Sequence, residues 1–203
     1  STIEFDIINS IYSNDETLEI VCTRSLYAEY GHELVLEVLN ILNLRYKIKF
    51  KCTFIGDGPL IGRLKIMSYH YKLSDKITFS GKVGNSIIPN ILSKSHIYLS
   101  LPSTEGLSAS LLESMASGCF PIVSDLPGNQ AVINNGENGY LVDRKKTENI
   151  ANIIFSVWND KKFRKSSSKK NISLVKKKYD IEKNIKMFMV EYSKLTNDDG
   201  TKR

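Results

Sequence analysis

The chain has 203 residues, of which 41% are apolar, and its formal net charge at pH 7 is +6. This length and apolar content predict one ordinary domain with a full hydrophobic core. No apolar run reaches the roughly 18 residues that a membrane-spanning helix needs, and no basic and apolar leader opens the chain, so we expect a cytoplasmic protein.

The positive charge is concentrated in one segment. Nine of the 28 basic residues lie between 161 and 178, where no residue is acidic, so the remaining 19 are outnumbered by the 22 acidic residues of the rest of the chain. That balance argues against nucleic-acid binding as the purpose of the fold. The segment is most simply a solvated helix face, and it would also suit peripheral contact with the cytoplasmic membrane surface.

The cysteines and histidines form no pattern typical of disulfides or metal sites. Cys22, Cys52 and Cys119 lie singly in apolar stretches, and we interpret them as reduced core residues. The three histidines are too scattered for a zinc site, and core or surface packing accounts for them. We therefore expect neither a bound metal nor a cofactor.

Short apolar runs followed by helical patterns recur along the chain. Residues 1–17 read as a linker or entry segment, 18–23 as a buried strand and 32–44 as an amphipathic helix. A second strand at 50–55 ends in the turn Gly56-Asp57-Gly58-Pro59, whose glycines permit close approach of a ligand, before a helix of about twelve residues from Leu60. No third glycine follows at the spacing of a dinucleotide-binding loop, which disfavours a dehydrogenase.

The later elements continue this alternation. We predict strands at 76–81, 96–101, 120–124 and 140–142. We predict helices at 86–93, 109–118, 130–134, 147–158 and 181–194, and a basic helix between the last two that ends at 178. Residues 125–129 read as a turn and 196–203 as a flexible tail.

Alternating strands and helices predict an α/β domain over 18–195, with a Rossmann-like parallel sheet and helices on both faces. Ligands of such sheets bind at the carboxyl ends of the strands. Arg24, Gly58, Val83 and Glu105 each follow a predicted strand. We therefore expect them to converge at that edge.

Residues 103–119 form the most specific motif. Ser108 is a plausible N-cap, which places Glu105 before the helix and Glu113 in its second turn, with their carboxylates on the order of 12 Å apart. The helix N-terminus between them suits an anion, so the implied ligand has hydroxyls at both ends and phosphate in the middle. A pair of solvated glutamates beside an ordinary helix would give the same spacing. A glycosidase is disfavoured, because its two carboxylates lie about 5 to 9.5 Å apart.

The Glu105-Gly106-Leu107-Ser108-Ala109 stretch and its second glutamate, Glu113, resemble the donor-site motif of family 4 retaining glycosyltransferases of the GT-B fold. Ile-Gly-Asp-Gly-Pro at 55–59 and Asn-Gly-Glu-Asn-Gly at 135–139 resemble other parts of that family. The resemblance covers 18 to about 195 and matches the C-terminal, donor-binding half only. It implies transfer of a hexosyl-type sugar from a nucleoside diphosphate sugar to an acceptor hydroxyl, with retention, most often in polysaccharide biosynthesis.

The resemblance also implies roles for individual residues. Glu105 would lie beside the transferred sugar as the catalytic carboxylate, Glu113 would bind the ribose hydroxyls, and Arg24 would hold the diphosphate. The amides around Leu107 and Ser108 would bind phosphate, and the backbone near Val83 would contact the base. The residues implied to bind the donor are Arg24, Gly58, Val83, Gly106, Leu107, Ser108, Ala109 and Glu113.

Two departures qualify what the resemblance implies. The family's N-terminal half, which would bind a glycan or lipid-linked acceptor, is absent, so this chain alone should catalyse little or nothing. Tyr30 occupies the position of the family's diphosphate-binding lysine, and a neutral contact is about half as strong as a charge-assisted one.

The absence of Asp-x-Asp fits a metal-independent mechanism. The alternatives are an interaction or regulatory module with a decayed donor site, and an epimerase or phosphorylase of the same fold.

Overall fold

The computed structural model describes residues 16–179. Most of the predicted linker at 1–17, the helix at 181–194 and the tail at 196–203 lie outside the described residues. The domain boundaries therefore stay predictions. Within residues 16–179, no helix is both long enough and apolar enough to cross a membrane.

A single parallel sheet organises the described part of the chain. Its order is β3-β2-β1-β4-β5-β6, and each strand is parallel to its neighbours. This confirms the predicted Rossmann-like architecture. The direction of winding reverses between β1 and β4, and sheets of this type bind ligands in the crevice at that point. The strands are β1 Leu18–Thr23, β2 Phe50–Ile55, β3 Ile77–Phe79, β4 Ile97–Ser100, β5 Phe120–Ser124 and β6 Tyr140–Val142.

Helices cover both faces of the sheet, as predicted. One core packs α1 and α6 against the sheet, and the other packs α4 and α7 against the opposite face. All three cysteines are buried and free, which confirms their interpretation as reduced core residues. The helices are α1 His32–Ile41, α2 Ile61–His70, α3 Ile88–Leu92, α4 Ala109–Ala116, α5 Pro127–Gln130, α6 Thr147–Asn159 and α7 Lys161–Lys178.

Two helices differ most from their predicted bounds, and the others in the described part of the chain agree to within about two residues at each end. The predicted helix at 32–44 ends at Ile41 and continues as a π-helical turn over Leu42–Tyr46. The short helix predicted at 130–134 is wrong in position, because α5 spans Pro127–Gln130 instead. Proline begins this helix because its fixed φ suits the first helical turn and its missing N–H is not needed there. The turn predicted at 125–129 is therefore largely helical.

Candidate functional site

The loop after β1 carries Arg24, and the loop after β2 holds it in place. The amide of Leu26 donates to the Asp57 carbonyl at 2.9 Å, and the amide of Leu60 donates to the Leu26 carbonyl at 3.1 Å. A Cβ on Gly58 would lie 2.6 Å from the Leu26 carbonyl oxygen, so only glycine permits this approach. Gly58, predicted as a donor-binding residue, thus contacts the loop that positions Arg24.

The loop after β1 also packs against the loop after β4. The Ser103 amide donates to the Glu29 carbonyl at 2.8 Å. Gly31 has a φ of +69°, and a Cβ there would overlap with the Leu101 carbonyl. Loop packing at this edge therefore brings Arg24 next to Glu105, although 81 residues separate them in sequence.

Arg24 joins Glu105 and Ser108 in one cluster. Its Nη2 forms an ion pair with the Glu105 carboxylate, and its Nη1 donates to Ser108 Oγ at 3.3 Å. Ser108 Oγ also accepts from the Leu111 amide at 3.4 Å, which confirms Ser108 as the N-cap of α4. The Arg24 guanidinium lies 4.6 Å from the centre of the Tyr30 ring, a cation–π arrangement. Tyr30 thus contacts Arg24 through the face of its ring.

The Glu105 carboxyl is poorly solvated. Its side chain is 8% exposed, against 22% for Arg24. Burial raises the pKa of Glu105 above its ordinary value, and this effect outweighs the lowering by the Arg24 charge and by the hydrogen bonds of Ser108 and Arg24. A carboxyl held partly out of water beside one cation is typical of functional sites.

Three buried hydroxyl groups lie near this cluster, and sequence analysis missed them. Burial raises the pKa of Tyr98 to about 12, and the Glu105 charge acts in the same direction. The hydroxyls of Thr23 and Ser100 and the Arg24 charge oppose this increase. The three hydroxyls are therefore near one another, yet none makes a hydrogen bond of ordinary geometry within the described part of the chain. Polar residues at alternate positions of β4, in a fully buried strand, were the available signal.

Glu113 is not part of the Arg24 cluster and lines a cavity between α3 and α4. The side chain is exposed in the second turn of α4, and the cavity has a volume of about 740 Å³. Asn85, Ile88 and Ser110 also line it. Val83, two residues before Asn85, is half-buried against the neighbouring core. The two glutamates of the motif thus face different surroundings, one an ion pair and the other an open cavity.

The N-terminal turn of α4 is exposed, and α5 supports it. Gly106, Leu107 and Ala109 are all exposed, which leaves the turn accessible. A Cβ on Gly128 of α5 would overlap with the Gly106 carbonyl group and would lie 2.5 Å from the Leu107 amide nitrogen. The Asn129 side-chain amide donates to the Ser124 carbonyl at 2.8 Å and fixes α5 to the end of β5. Sequence analysis did not assign this supporting role to 127–130.

A second cation, Arg144, lies at the same edge of the sheet and was also missed. It follows β6 by two residues, and its Nη2 would be 3.0 Å from a Cβ on Gly31. It borders one cavity of about 270 Å³ with Ser103 and Asp125, and another of about 430 Å³ with Glu33 and Arg63. Its position directly after a strand was the signal, since such residues collect at this edge.

Comparison of the sequence with known families gives one clear match. The model of the family described as "Glycosyl transferases group 1" matches residues 4–174. Among curated relatives, the N-acetyl-alpha-D-glucosaminyl L-malate synthase of Bacillus anthracis is 25% identical over 153 residues, covering 75% of this chain and 40% of the relative. The chain spans less than half the length of the first curated relatives that it matches.

Solved structures show the same fold. The C-terminal domain of LpcC, a glycosyl transferase group 1 family protein from Francisella tularensis, has a TM-score of 0.73 and 24% identity, over 81% of this chain and 87% of that domain. HepE from Anabaena, solved in complex with UDP, has a TM-score of 0.79 and 14% identity, over 96% of this chain and 53% of HepE.

Proposed function

The chain belongs to the group 1 glycosyl transferases, and on that basis we propose that it is the donor-binding half of a retaining glycosyltransferase. Its donor is a nucleoside diphosphate sugar with a hexosyl-type group, and its acceptor is a hydroxyl of a glycan or a lipid-linked glycan. The acceptor is held by an N-terminal half that this sequence does not contain. The single observation that supports the proposal most is the cluster of Arg24, Glu105 and Ser108 at the N-terminus of α4, beside the cavity that Glu113 lines.

In this proposal the donor lies along the N-terminal part of α4. Glu113 accepts hydrogen bonds from the ribose hydroxyls in the cavity between α3 and α4. The free N–H groups at the start of α4 and the Arg24 guanidinium bind the diphosphate. Arg24 has five donor hydrogens, so it can bind phosphate oxygen while it stays beside Glu105.

Transfer then depends on stabilising charge at both ends of the breaking bond. As the bond between the sugar and the diphosphate breaks, negative charge grows on the departing phosphate and positive charge on the sugar ring. Arg24 and the α4 amides stabilise the first, and the Glu105 carboxylate stabilises the second. The acceptor hydroxyl attacks the same face of the ring from which the diphosphate leaves, and its proton passes to the departing phosphate oxygen. No step in this account needs a metal ion.

Tyrosine instead of lysine at position 30 changes the charge of the proposed site. A lysine would add a second positive charge at the phosphates, whereas Tyr30 holds Arg24 from its side by the cation–π contact. The proposed site therefore depends on one cation and the backbone amides. Loss of Arg24 should therefore cost more donor affinity here than the loss of an arginine would cost in a site that also has the lysine.

The test is thermal unfolding of the 203-residue chain with UDP, GDP, ADP and NAD, for wild type and Glu113→Ala. We expect one nucleoside diphosphate to stabilise wild type, and UDP is the first choice because HepE was solved with it. A ligand at about 100 times its Kd adds about 2.7 kcal/mol, which is several degrees in Tm for a domain of this size.

Glu148→Ala is the matched control, since Glu148 is an exposed glutamate in the first turn of α6. Glu113→Ala should lose most of the nucleotide shift, and the control should keep it. An equal shift in Glu113→Ala would remove Glu113 from the site. No shift with any nucleotide would favour the interaction module with a decayed donor site.

A further inference from the structure

Three side-chain hydroxyls lie on one face of the sheet, close to the ends of β1 and β4. Tyr98 of β4 pairs with Val21 of β1, and both belong to the core that α4 and α7 cover. Because alternate residues of a strand share a face, Thr23 and Ser100, each two residues further along, lie on the same face as this pair. Thr23 ends β1 and Ser100 ends β4, and Arg24 follows Thr23 directly. The hydroxyls are therefore placed beside the start of the loop that carries Arg24.

These hydroxyls are buried without firm hydrogen bonds. Tyr98 is 1% exposed, Ser100 is 6% exposed and Thr23 is 8% exposed. None of their oxygen atoms makes a hydrogen bond of ordinary geometry within residues 16–179. A buried hydroxyl without such a bond destabilises a fold, because it has lost its hydrogen bonds to water. Native proteins contain few such groups, so three at one place indicate a role other than stability.

The ion pair of Arg24 and Glu105 is the charged group close to these hydroxyls. The side chain of Glu105 is 8% exposed and that of Arg24 is 22% exposed, so the pair has little contact with water. The Arg24 Nε atom is buried and also has no hydrogen bond in the described part of the chain. Both charges act on the Tyr98 hydroxyl, since the Arg24 charge lowers its pKa and the Glu105 charge raises it. The pair needs polar surroundings on its buried side, and the three hydroxyls supply them.

We propose that Tyr98 is a positioning residue of the donor site. Its hydroxyl and those of Thr23 and Ser100 hold the ion pair in place from the interior of the domain. This inference rests on the proposed function, in which Arg24 binds the donor diphosphate. A hydroxyl rotates about its C–O bond, so it can turn its lone pairs to the guanidinium or its proton to the carboxylate. It therefore stabilises either charge and leaves outer N–H groups of Arg24 for phosphate.

The hydroxyl of Tyr98 can be separated from its ring. The ring belongs to the same apolar cluster as Leu111 and Met115 of α4. Phenylalanine would fill this space equally well and would lack only the oxygen. If the hydroxyl had no polar role, its loss would leave stability unchanged or raise it, because a poorly bonded polar group would leave the core.

The first test is thermal unfolding of the 203-residue chain and of Tyr98→Phe, each also in the background Arg24→Met/Glu105→Gln, which removes both charges. With the ion pair present, Tyr98→Phe should lower the Tm by about 3 °C, the effect of one net hydrogen bond in a domain of this size. In the neutral background it should leave the Tm unchanged or raise it, because the hydroxyl then has no charge to stabilise. The same change of Tm in both backgrounds would overturn the inference.

The second test is the affinity for UDP, measured by calorimetric titration, with Tyr140→Phe as the control. Tyr140 is a half-buried tyrosine of the same sheet, in the other core, with its ring centre 6.0 Å from that of Phe120. Tyr98→Phe should bind UDP about tenfold more weakly, the effect of losing one hydrogen bond to a charged group. The control should bind UDP as wild type does. Equal affinities of the two phenylalanine variants would exclude Tyr98 from the donor site.

Thr23→Val and Thr23→Ser form a second matched pair. Valine keeps the shape of threonine without its hydroxyl, whereas serine keeps the hydroxyl. We expect Thr23→Val to weaken UDP binding and Thr23→Ser to retain most of it. An equal loss in both would mean that packing at this position matters, and would overturn the role of its hydroxyl. If wild type binds neither UDP nor another nucleotide, the proposed function fails, while the Tm comparison still decides whether the hydroxyls hold the ion pair.

Discussion

Glu105 lies in surroundings that oppose its negative charge, even though Arg24 is its ion-pair partner. Burial raises the pKa of this carboxyl more than Arg24 and Ser108 lower it. An acid whose pKa is higher in the folded than in the unfolded state destabilises the fold once it is ionised. Its contribution to stability is therefore greatest below the unfolded pKa and is lost as the pH rises through the folded pKa.

We predict that Glu105→Gln raises the Tm at pH 7 by a few degrees, because it removes a poorly solvated charge at a site built for function. The gain should shrink as the pH falls through the folded pKa of Glu105, which lies above its ordinary value, and should vanish below the unfolded pKa of about 4.3. Thermal unfolding between pH 4 and 7.5 measures both effects. A Tm for Glu105→Gln below wild type at pH 7 would mean that the ion pair with Arg24 outweighs burial.

The contact between Gly128 and Gly106 supports the second residue-scale prediction. Gly128→Ala would force the Gly106–Leu107 turn away from α5, because the new Cβ would overlap with the Gly106 backbone. We expect a loss of about 1–3 kcal/mol in stability and a weaker nucleotide shift. Urea unfolding and the thermal-shift assay measure the two effects.

Gly62→Ala is the matched control for Gly128→Ala. Gly62 lies in α2, and a Cβ there would meet nothing within 4 Å. The control should be neutral or stabilising by up to about 1 kcal/mol, since alanine favours helix. If both variants behave alike, the tight packing of α5 on the α4 turn does not matter to stability.

At the level of secondary-structure elements, Arg164 joins α6 to α7. Its Nη1 donates to the Val157 carbonyl at 2.8 Å and to the Trp158 carbonyl, at the end of α6. The guanidinium also lies 4.6 Å from the centre of the Trp158 ring. A cation at the C-terminus of a helix satisfies carbonyls that have no partner within the helix and interacts favourably with its dipole.

We predict that Arg164→Met lowers the free energy of unfolding by about 2–5 kcal/mol, because it removes the guanidinium donor from the Trp158 carbonyl and leaves the Val157 carbonyl with the Asp160 amide alone. Lys162→Met, at an exposed position of the same helix, should change stability by less than about 0.5 kcal/mol. Urea unfolding at neutral pH measures both. A loss in Arg164→Met no larger than in the control would show that other contacts hold α6 to α7.

At the scale of the whole molecule, the sheet order explains why the site lies where it does. The loops after β1 and β4, the two strands at the reversal of winding, carry Arg24 and Glu105. The proposed donor site is therefore open on the side away from the sheet. In the proposed complete enzyme, the acceptor-binding half covers that side and excludes water.

We accordingly predict that this chain binds a nucleoside diphosphate but transfers no sugar. Incubation with nucleotide sugars and a set of glycan acceptors, followed by product analysis, tests this directly. Nucleotide binding with no product is the expected result. Formation of a glycosylated product by this chain alone would contradict the need for a second half.

Much of the fold could be predicted from short stretches of the sequence. The bounds of β1, β2, β5 and β6 agree with their predicted ranges, because each is a short apolar run between glycine, proline or polar residues. The start of α4 was predicted from its N-cap. The position of α5 was not, since Pro-Gly-Asn is compatible with both a turn and a first helical turn, and packing on Gly106 favours the second.

The sequence by itself determined the class of fold, the motif with its two glutamates and the concentration of lysines, because periodicity and short spacings are local properties. Only the tertiary structure decided which distant groups meet. Arg24 pairs with Glu105, the hydroxyl of Tyr98 lies near them, and Arg164 contacts the end of α6. Such contacts depend on strand order and on how loops pack at the sheet edge, and neither is encoded in the neighbouring residues of the chain.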